Sequence, residues 1–199
     1  MKFAWYPGCV SQGGCPELFT ATLAVAEKLG FELVHMKEAA CTGAGVLSEK
    51  NPELADTLNA RTFAMAEGLG LPIMTICSTC QGVMSAANAR LTSDPEYLKK
   101  INETLAEEEL EYKGTAQISH ILWVIVEELG LEKLKSLVVR PLTGVRVAPF
   151  YGCYIIRPTS TLGFGDHPER DTYIEQITSV LGGIAVDYSG KTKCCGFPI

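Results

Sequence analysis

Cys9, Cys41, Cys77 and Cys80 are the residues most able to do chemistry in this chain of 199. Four thiolates around one point would suit a tetrahedral Zn²⁺ or an iron–sulfur cluster. Zinc ribbons usually combine two local Cys-x-x-Cys knuckles, and here only Cys77 and Cys80 form such a pair. One local pair plus two widely separated single cysteines favours a cluster seated deep in a folded domain, with zinc as the alternative. Four structural disulfides are a poor account of the 8 cysteines. The N-terminus is broken by Pro7-Gly8 too early for a signal peptide, and cytosolic thiols are kept reduced.

A second group repeats the first. Tyr6-Pro7-Gly8-Cys9 is echoed by Phe150-Tyr151-Gly152-Cys153, and Cys41-Thr42-Gly43 by Cys194-Cys195-Gly196. Between the paired cysteines each half carries a helix-like stretch, a Leu-Gly stop (Leu29-Gly30, Leu181-Gly182) and a strand-like stretch. The same order in both halves indicates duplication. Residues 1–140 are expected to form the first unit and residues 141–199 the start of a second. On the logic of the repeat a further strand and Cys-x-x-Cys pair would follow Ile199, so the second motif is expected to be incomplete.

Gly8, Gly43, Gly82, Gly152 and Gly196 flank the cysteines. They are expected to clear space where a bulky inorganic group approaches backbone, and to permit positive φ. Cys15 has no counterpart in the repeat and reads as a small free thiol, with an extra ligand as the other reading. His35, His120 and His167 read as structural or surface residues.

The elements that must position these thiols alternate short apolar strands with helices, the pattern of an α/β fold with a mainly parallel sheet. Strands are expected at residues 2–6, 31–36, 73–76, 145–151 and 184–188. Helices are expected at 16–29, 52–69, 83–91, 94–110, 119–129 and 168–181. Pro16 and Pro52 open helices, while Gly30 and Gly70 stop them. Cysteines that follow successive parallel strands share one sheet edge, where open α/β sheets bind ligands. The run Glu107-Glu108-Glu109 reads as a solvated helix face.

Hydrophobic residues make up 47% and charged residues 20%, with a formal charge of −6, as in a globular domain. Lys and Arg are scattered, which argues against a nucleic-acid partner. The longest apolar run, residues 121–126, is too short for a transmembrane segment. The expected location is cytoplasmic, with any membrane association made through partners. No Gly-x-Gly-x-x-Gly fingerprint occurs, so a flavin would sit on another protein.

The arrangement Cys-x31-Cys-Thr-Gly, Cys-x-x-Cys, then Cys-x40-Cys-Cys-Gly resembles the tandem cysteine-rich CCG domain found in the B subunit of heterodisulfide reductase and its relatives. Those relatives include subunits of type E succinate dehydrogenases, of glycolate and lactate oxidation, and of sulfur-oxidation complexes. The resemblance implies two similar cysteine-rich lobes, each with a small, mainly parallel sheet flanked by helices. It implies iron–sulfur clusters of [4Fe-4S] type, with Cys9, Cys41, Cys77 and Cys80 as ligands of the first. Cys153, Cys194 and Cys195 would be ligands of a second, non-cubane and catalytic centre. Thr42 replaces one cysteine of the family's first Cys-Cys-Gly, which leaves four ligands there and suits a cubane cluster. The implied activity is electron transfer to or from a disulfide, thiol or persulfide on a substrate or carrier protein. Implied partners are other redox subunits, a C-like iron–sulfur protein and an A-like flavoprotein. The alternatives are an electron relay in a succinate or glycolate/lactate dehydrogenase complex, and a zinc-stabilised interaction module.

Overall fold

Residues 1–197 are described in the computed structural model. The first strand, β1 (Lys2–Tyr6), leads through Pro7-Gly8 into α1 (Cys9–Gly13) and α2 (Pro16–Leu29). Helix α2 starts on a proline and ends at Gly30 in the left-handed region, as its sequence dictates. Strand β2 (Glu32–His35) follows, then the Cys41 loop, α3 (Val46–Lys50) and α4 (Pro52–Leu69). Asn51 caps α4 by accepting the Leu54 amide at 3.1 Å. Strand β3 (Ile73–Thr75) runs into α5 (Ser78–Ser93), and α6 (Pro95–Leu105) follows, capped by Asp94.

The next segment departs from the expected single helix over 119–129. Ile118–His120 is a fourth strand, β4, and only then does α7 (Ile121–Trp123) begin, continuing as a π-helical turn over Val124–Leu129. Helix α8 (Leu131–Ser136) follows. The rest of the chain, the second lobe, holds β5 (Arg146–Val147), 3₁₀ turns at Thr159–Thr161 and Pro168–Thr172, α9 (Tyr173–Val180) and β6 (Ile184–Ala185). Its strands are two residues each, shorter than the sequence pattern suggests.

The main sheet has the order β2-β1-β3-β4 and every pairing is parallel. Alternate residues of β1 face opposite layers. Phe3 and Trp5 pack with Phe31, Met74, Ile76, Val124 and Leu134, while Ala4 and Tyr6 pack with Ala60, Phe63, Met84, Leu91 and Ile101. Strands β5 and β6 pair in parallel with Val147 opposite Ala185, which repeats the β1–β2 relation. The architecture is therefore α/β with two similar cysteine-rich lobes, the second much the smaller.

A separate apolar cluster of Trp123, Tyr151, Ile155, Ile156, Leu162 and Tyr173 joins the lobes. Beside it Arg170 from the second lobe lies 3.8 Å from the Trp123 ring centroid. The same guanidinium donates to both Glu127 carboxylate oxygens, at 2.7 and 2.8 Å. Glu127 is in the π-helical turn, so a buried bidentate ion pair and a cation–π contact pin one lobe to the other.

Candidate functional site

The parallel order carries the chain to one edge of the sheet each time a strand ends. Cys9 follows β1, Cys41 follows β2 and Cys77 follows β3, so their loops meet there. The order of strand addition reverses between β1 and β3, the crevice where doubly wound sheets take ligands. The Cys9 and Cys41 sulfurs stand 3.9 Å apart. Cys77 is the N-cap of α5, and its sulfur accepts the Cys80 amide at 3.5 Å. The Thr42 hydroxyl donates to the Cys80 sulfur at 3.7 Å, which brings the Cys41 loop onto the Cys77/Cys80 pair.

The four thiols differ in depth. Cys80 is buried, Cys77 half-buried, and Cys9 and Cys41 exposed. Cys77 is lowered to about 6, first by the hydrogen bond from the Cys80 thiol and then by the Cys80 and Thr79 amides at the start of α5. Cys80 is pushed up by that same shared proton and by burial, so the pair holds one proton between them near neutrality. Burial, followed by the neighbouring Cys41, also raises Cys9.

Tyr6 was not singled out by the sequence, yet it lies beneath the thiols. Its ring is buried and its hydroxyl donates to the Ala40 carbonyl at 2.8 Å. Burial and the nearby Cys80, Cys41 and Cys9 push this phenol far above its ordinary value, so it stays protonated. The signal available in sequence was its place at the end of a strand, three residues before Cys9. Cys15 stands at the head of α2, where its amide donates to the Val10 carbonyl at 2.7 Å.

In the second lobe the sulfurs of Cys153 and Cys194 lie 3.5 Å apart. The Gly196 amide donates to Cys194 and the Phe197 amide to Cys195, both at 3.4 Å. Cys194 is lowered by the Gly196 amide, by the Cys153 thiol and by the charge of Arg157. Burial and Cys194 raise Cys153. Glu175 holds the two loops together, because it accepts from the Tyr151 hydroxyl and pairs with Lys191 at 2.9 Å. The Tyr151 amide in turn donates to the Lys191 carbonyl at 2.9 Å.

The glycines divide by cause: Gly8, Gly43, Gly152 and Gly196 have the positive φ expected of them, whereas Gly82 does not. A Cβ on Gly8 would lie 3.5 Å from the Cys80 sulfur and 3.6 Å from the Cys77 Cβ, so Gly8 does face the thiols. On Gly43 it would meet Leu47 at 2.5 Å, and on Gly82 the Tyr154 carbonyl at 2.4 Å. Gly152 and Gly196 have φ of 69° and 90° and serve backbone conformation.

The histidines lie outside both groups of thiols. His120 caps α7, where its Nδ1 accepts the Leu122 amide at 3.2 Å, and it is buried. Burial pushes it down to about 4, an effect that the nearby Ile76 backbone offsets only in part, so it is neutral at pH 7. His35 packs against Trp5 and Phe19, and His167 lies 3.6 Å from Glu127.

An all-sulfur donor set of this kind suits soft or borderline metals and iron–sulfur clusters. Among the described residues no three Cys, His, Asp or Glu side chains gather closely enough to enclose a single metal ion. The thiols stand in two close pairs, Cys9 with Cys41 and Cys77 with Cys80, and the Thr42 hydroxyl links the Cys41 loop to the second pair. Among the described residues no helix is long and apolar enough to cross a membrane.

Comparison with known proteins agrees with the pattern of cysteines. The profile of the cysteine-rich domain, CCG, matches residues 3–85 and 147–199. The chain is 36% identical over 196 residues to the 8-methylmenaquinol:fumarate reductase membrane anchor subunit of Wolinella succinogenes, covering 98% of this chain and 67% of that protein. It is 34% identical to the B subunit of the ferredoxin/F(420)H(2)-dependent CoB-CoM heterodisulfide reductase of Methanosarcina acetivorans, covering 98% of this chain and 65% of that one. The B subunit of the ferredoxin:CoB-CoM heterodisulfide reductase of Methanosarcina mazei is 31% identical, with the same coverage of 98% and 65%. The chain thus spans about two thirds of the length of these curated relatives. A crystal structure of a hypothetical protein from Helicobacter pylori superposes with a TM-score of 0.67 at 15% identity, over 94% of this chain and 33% of that one, a likeness of fold.

Proposed function

The chain belongs to the cysteine-rich CCG domain family, and from that premise we propose that it is the iron–sulfur subunit of a heterodisulfide-reductase-like oxidoreductase complex. The observation that carries the reading is the meeting of Cys9, Cys41, Cys77 and Cys80 at the switch point of the parallel sheet. In this reading those four hold a [4Fe-4S] cluster, and Cys153, Cys194 and Cys195 hold part of a second centre, of non-cubane type, that meets the substrate. The two sites divide between lobes formed by residues 1–140 and 141–199. A cluster bound by such thiolates supplies one-electron chemistry.

The chain's own residues tune and shield that chemistry. Cys80 is the buried ligand, and the Thr42 hydroxyl donates to its sulfur from inside the recess. Cys77 is held as thiolate first by the Cys80 thiol and then by amides at the head of a helix 16 residues long. Cys194 and Cys195 are exposed, within reach of a disulfide, thiol or persulfide of a substrate or carrier protein. The Gly196 amide, then the Cys153 thiol and the Arg157 charge, favour thiolate at Cys194. The names of the relatives support partners in a multi-component reductase, which we take to be a C-like iron–sulfur protein and an A-like flavoprotein. Membrane association would come through such partners.

A second reading is a relay without sulfur chemistry, as in a succinate or glycolate/lactate dehydrogenase complex. The identity to a quinol:fumarate reductase subunit favours it. A zinc-stabilised interaction module is the third reading. Iron and sulfide content with EPR on anaerobically prepared protein tests the assignment. Cys41→Ala and Cys80→Ala are expected to abolish the first signal, and an unchanged signal refutes the ligand set. Stoichiometric zinc with a featureless absorbance spectrum overturns both redox readings. A second-site signal that changes on adding a thiol or disulfide supports sulfur chemistry over the relay.

A further inference from the structure

We propose that Tyr154 is a positioning residue whose ring and backbone, seated in a socket formed by Gly45 and Gly82, lock the Cys153 loop of the second lobe against the first cysteine site. The inference rests on the reading of the two thiol groups as parts of one redox unit. Its geometry, however, is independent of what they bind.

The socket has two walls, each drawn from an element that carries a first-site thiol. Gly45 lies four residues after Cys41, and a Cβ there would stand 2.0 Å from the Tyr154 hydroxyl oxygen and 3.0 Å from Cζ. Gly82 lies two residues after Cys80, and its Cβ would stand 2.4 Å from the Tyr154 carbonyl oxygen, 2.8 Å from Cδ1 and 3.0 Å from Cβ. With a Cβ at either position, Tyr154 or the glycine's backbone would have to shift. Gly45 has φ 85°, a conformation that by itself asks for glycine. Gly82 has no such reason. It lies inside α5, where glycine is a poor helix former, and it is buried. Close approach by Tyr154 is what that position accommodates.

Tyr154 is covalently next to Cys153, so whatever fixes its ring and carbonyl fixes the loop that presents the second-site thiols. The neighbouring backbone is already tight: the Ile156 and Arg157 amides donate to the Cys153 carbonyl at 3.1 and 2.8 Å. The path from Cys80 to Cys153 is therefore two residues of helix, one van der Waals contact and one peptide link. Seating Tyr154 sets the separation between the two groups of thiols.

The test is amide hydrogen exchange on the purified chain with iron quantified in parallel. Tyr154→Ala is expected to speed exchange across residues 150–157 roughly tenfold while the interior of α5 stays protected. Tyr154→Phe, which keeps the ring, is expected to restore the native rate. Gly45→Ala supplies the decisive arm, since its backbone strain is present whether or not the tyrosine is. In the native background it is expected to loosen residues 150–157 roughly tenfold, and in the Tyr154→Ala background to add nothing there. Equal loosening in both backgrounds, or native exchange in Tyr154→Ala, overturns the proposal. Iron missing from every sample, native included, would count against the cluster assignment while the exchange pattern still decides the socket.

Discussion

Acid should weaken this fold through one imidazole. His120 is neutral and buried at the start of α7, with Nδ1 taken by the Leu122 amide and Nε2 without a partner among the described residues. Its ordinary value of 6.5 falls to about 4 in the fold because burial disfavours the charged form. The unfolded chain therefore takes up a proton first as the pH drops below 6.5. Stability that is fully present above that point is lost as the pH falls through about 4. Linkage puts the loss at about 2 kcal/mol between pH 7 and pH 5, rising to about 3 kcal/mol at pH 4. With a urea slope of about 2 kcal/mol/M, the midpoint should move down by about 1 M between pH 7 and pH 5 from this residue alone. Carboxylates also titrate in that range, so the measurement is a difference between native protein and His120→Asn. Asparagine keeps an N-cap acceptor without the titration. Anaerobic urea unfolding followed by tryptophan fluorescence should give the native protein the steeper acid dependence by that amount. Parallel curves for the two proteins would refute the reasoning, as would a His120 ring that titrates near 6.5 by NMR.

Two further perturbations address the site and its support. Thr42→Val keeps volume but removes the donor to the Cys80 sulfur; if the first site holds a cluster, its potential should fall. A lost hydrogen bond of roughly 1 kcal/mol corresponds to about 40 mV for one electron, readable by redox titration, and an unmoved potential would assign Thr42 to packing alone. Arg90→Ala leaves the buried Asp56 carboxylate with only the Tyr97 hydroxyl, at 3.0 Å, after loss of two guanidinium bonds at 2.6 and 2.9 Å. Because the Arg90 side chain is 44% exposed, the expected cost is about 2 kcal/mol rather than the larger value of a fully buried pair, measured as a lower midpoint in the same urea assay.

Much of the frame was legible because local rules and tertiary demands agree. The proline starts and glycine stops of α2 and α4 give their boundaries directly, and the short apolar runs give β1, β2 and β3. The meeting of three loops follows from parallel order alone. Strand β4 was hidden because Ile118–His120 is polar in its middle and abuts an apolar run that reads as one continuous helix. The strands of the second lobe are shorter than their apolar segments because Val145 is exposed and Tyr151 turns into the interlobe cluster. Gly82 shows the limit of reading neighbours in sequence. It lies beside Cys80 and so suggested room for a cofactor, whereas its cause is Tyr154, far along the chain.

The spacing of the first four thiols also dictates an order of events during biogenesis. Only Cys77 and Cys80 are neighbours in an unfolded chain; Cys9 and Cys41 reach them only through the long-range pairings β1–β2 and β1–β3. Parallel pairings of that separation form late compared with local helices. A nascent chain can thus present a two-thiol foothold as soon as α5 turns, but the remaining pair arrives only with the sheet. If these four thiols hold one group, as proposed, its full loading follows sheet formation, and earlier oxidation of the exposed Cys9 and Cys41 would leave a folded protein with half of that ligand set.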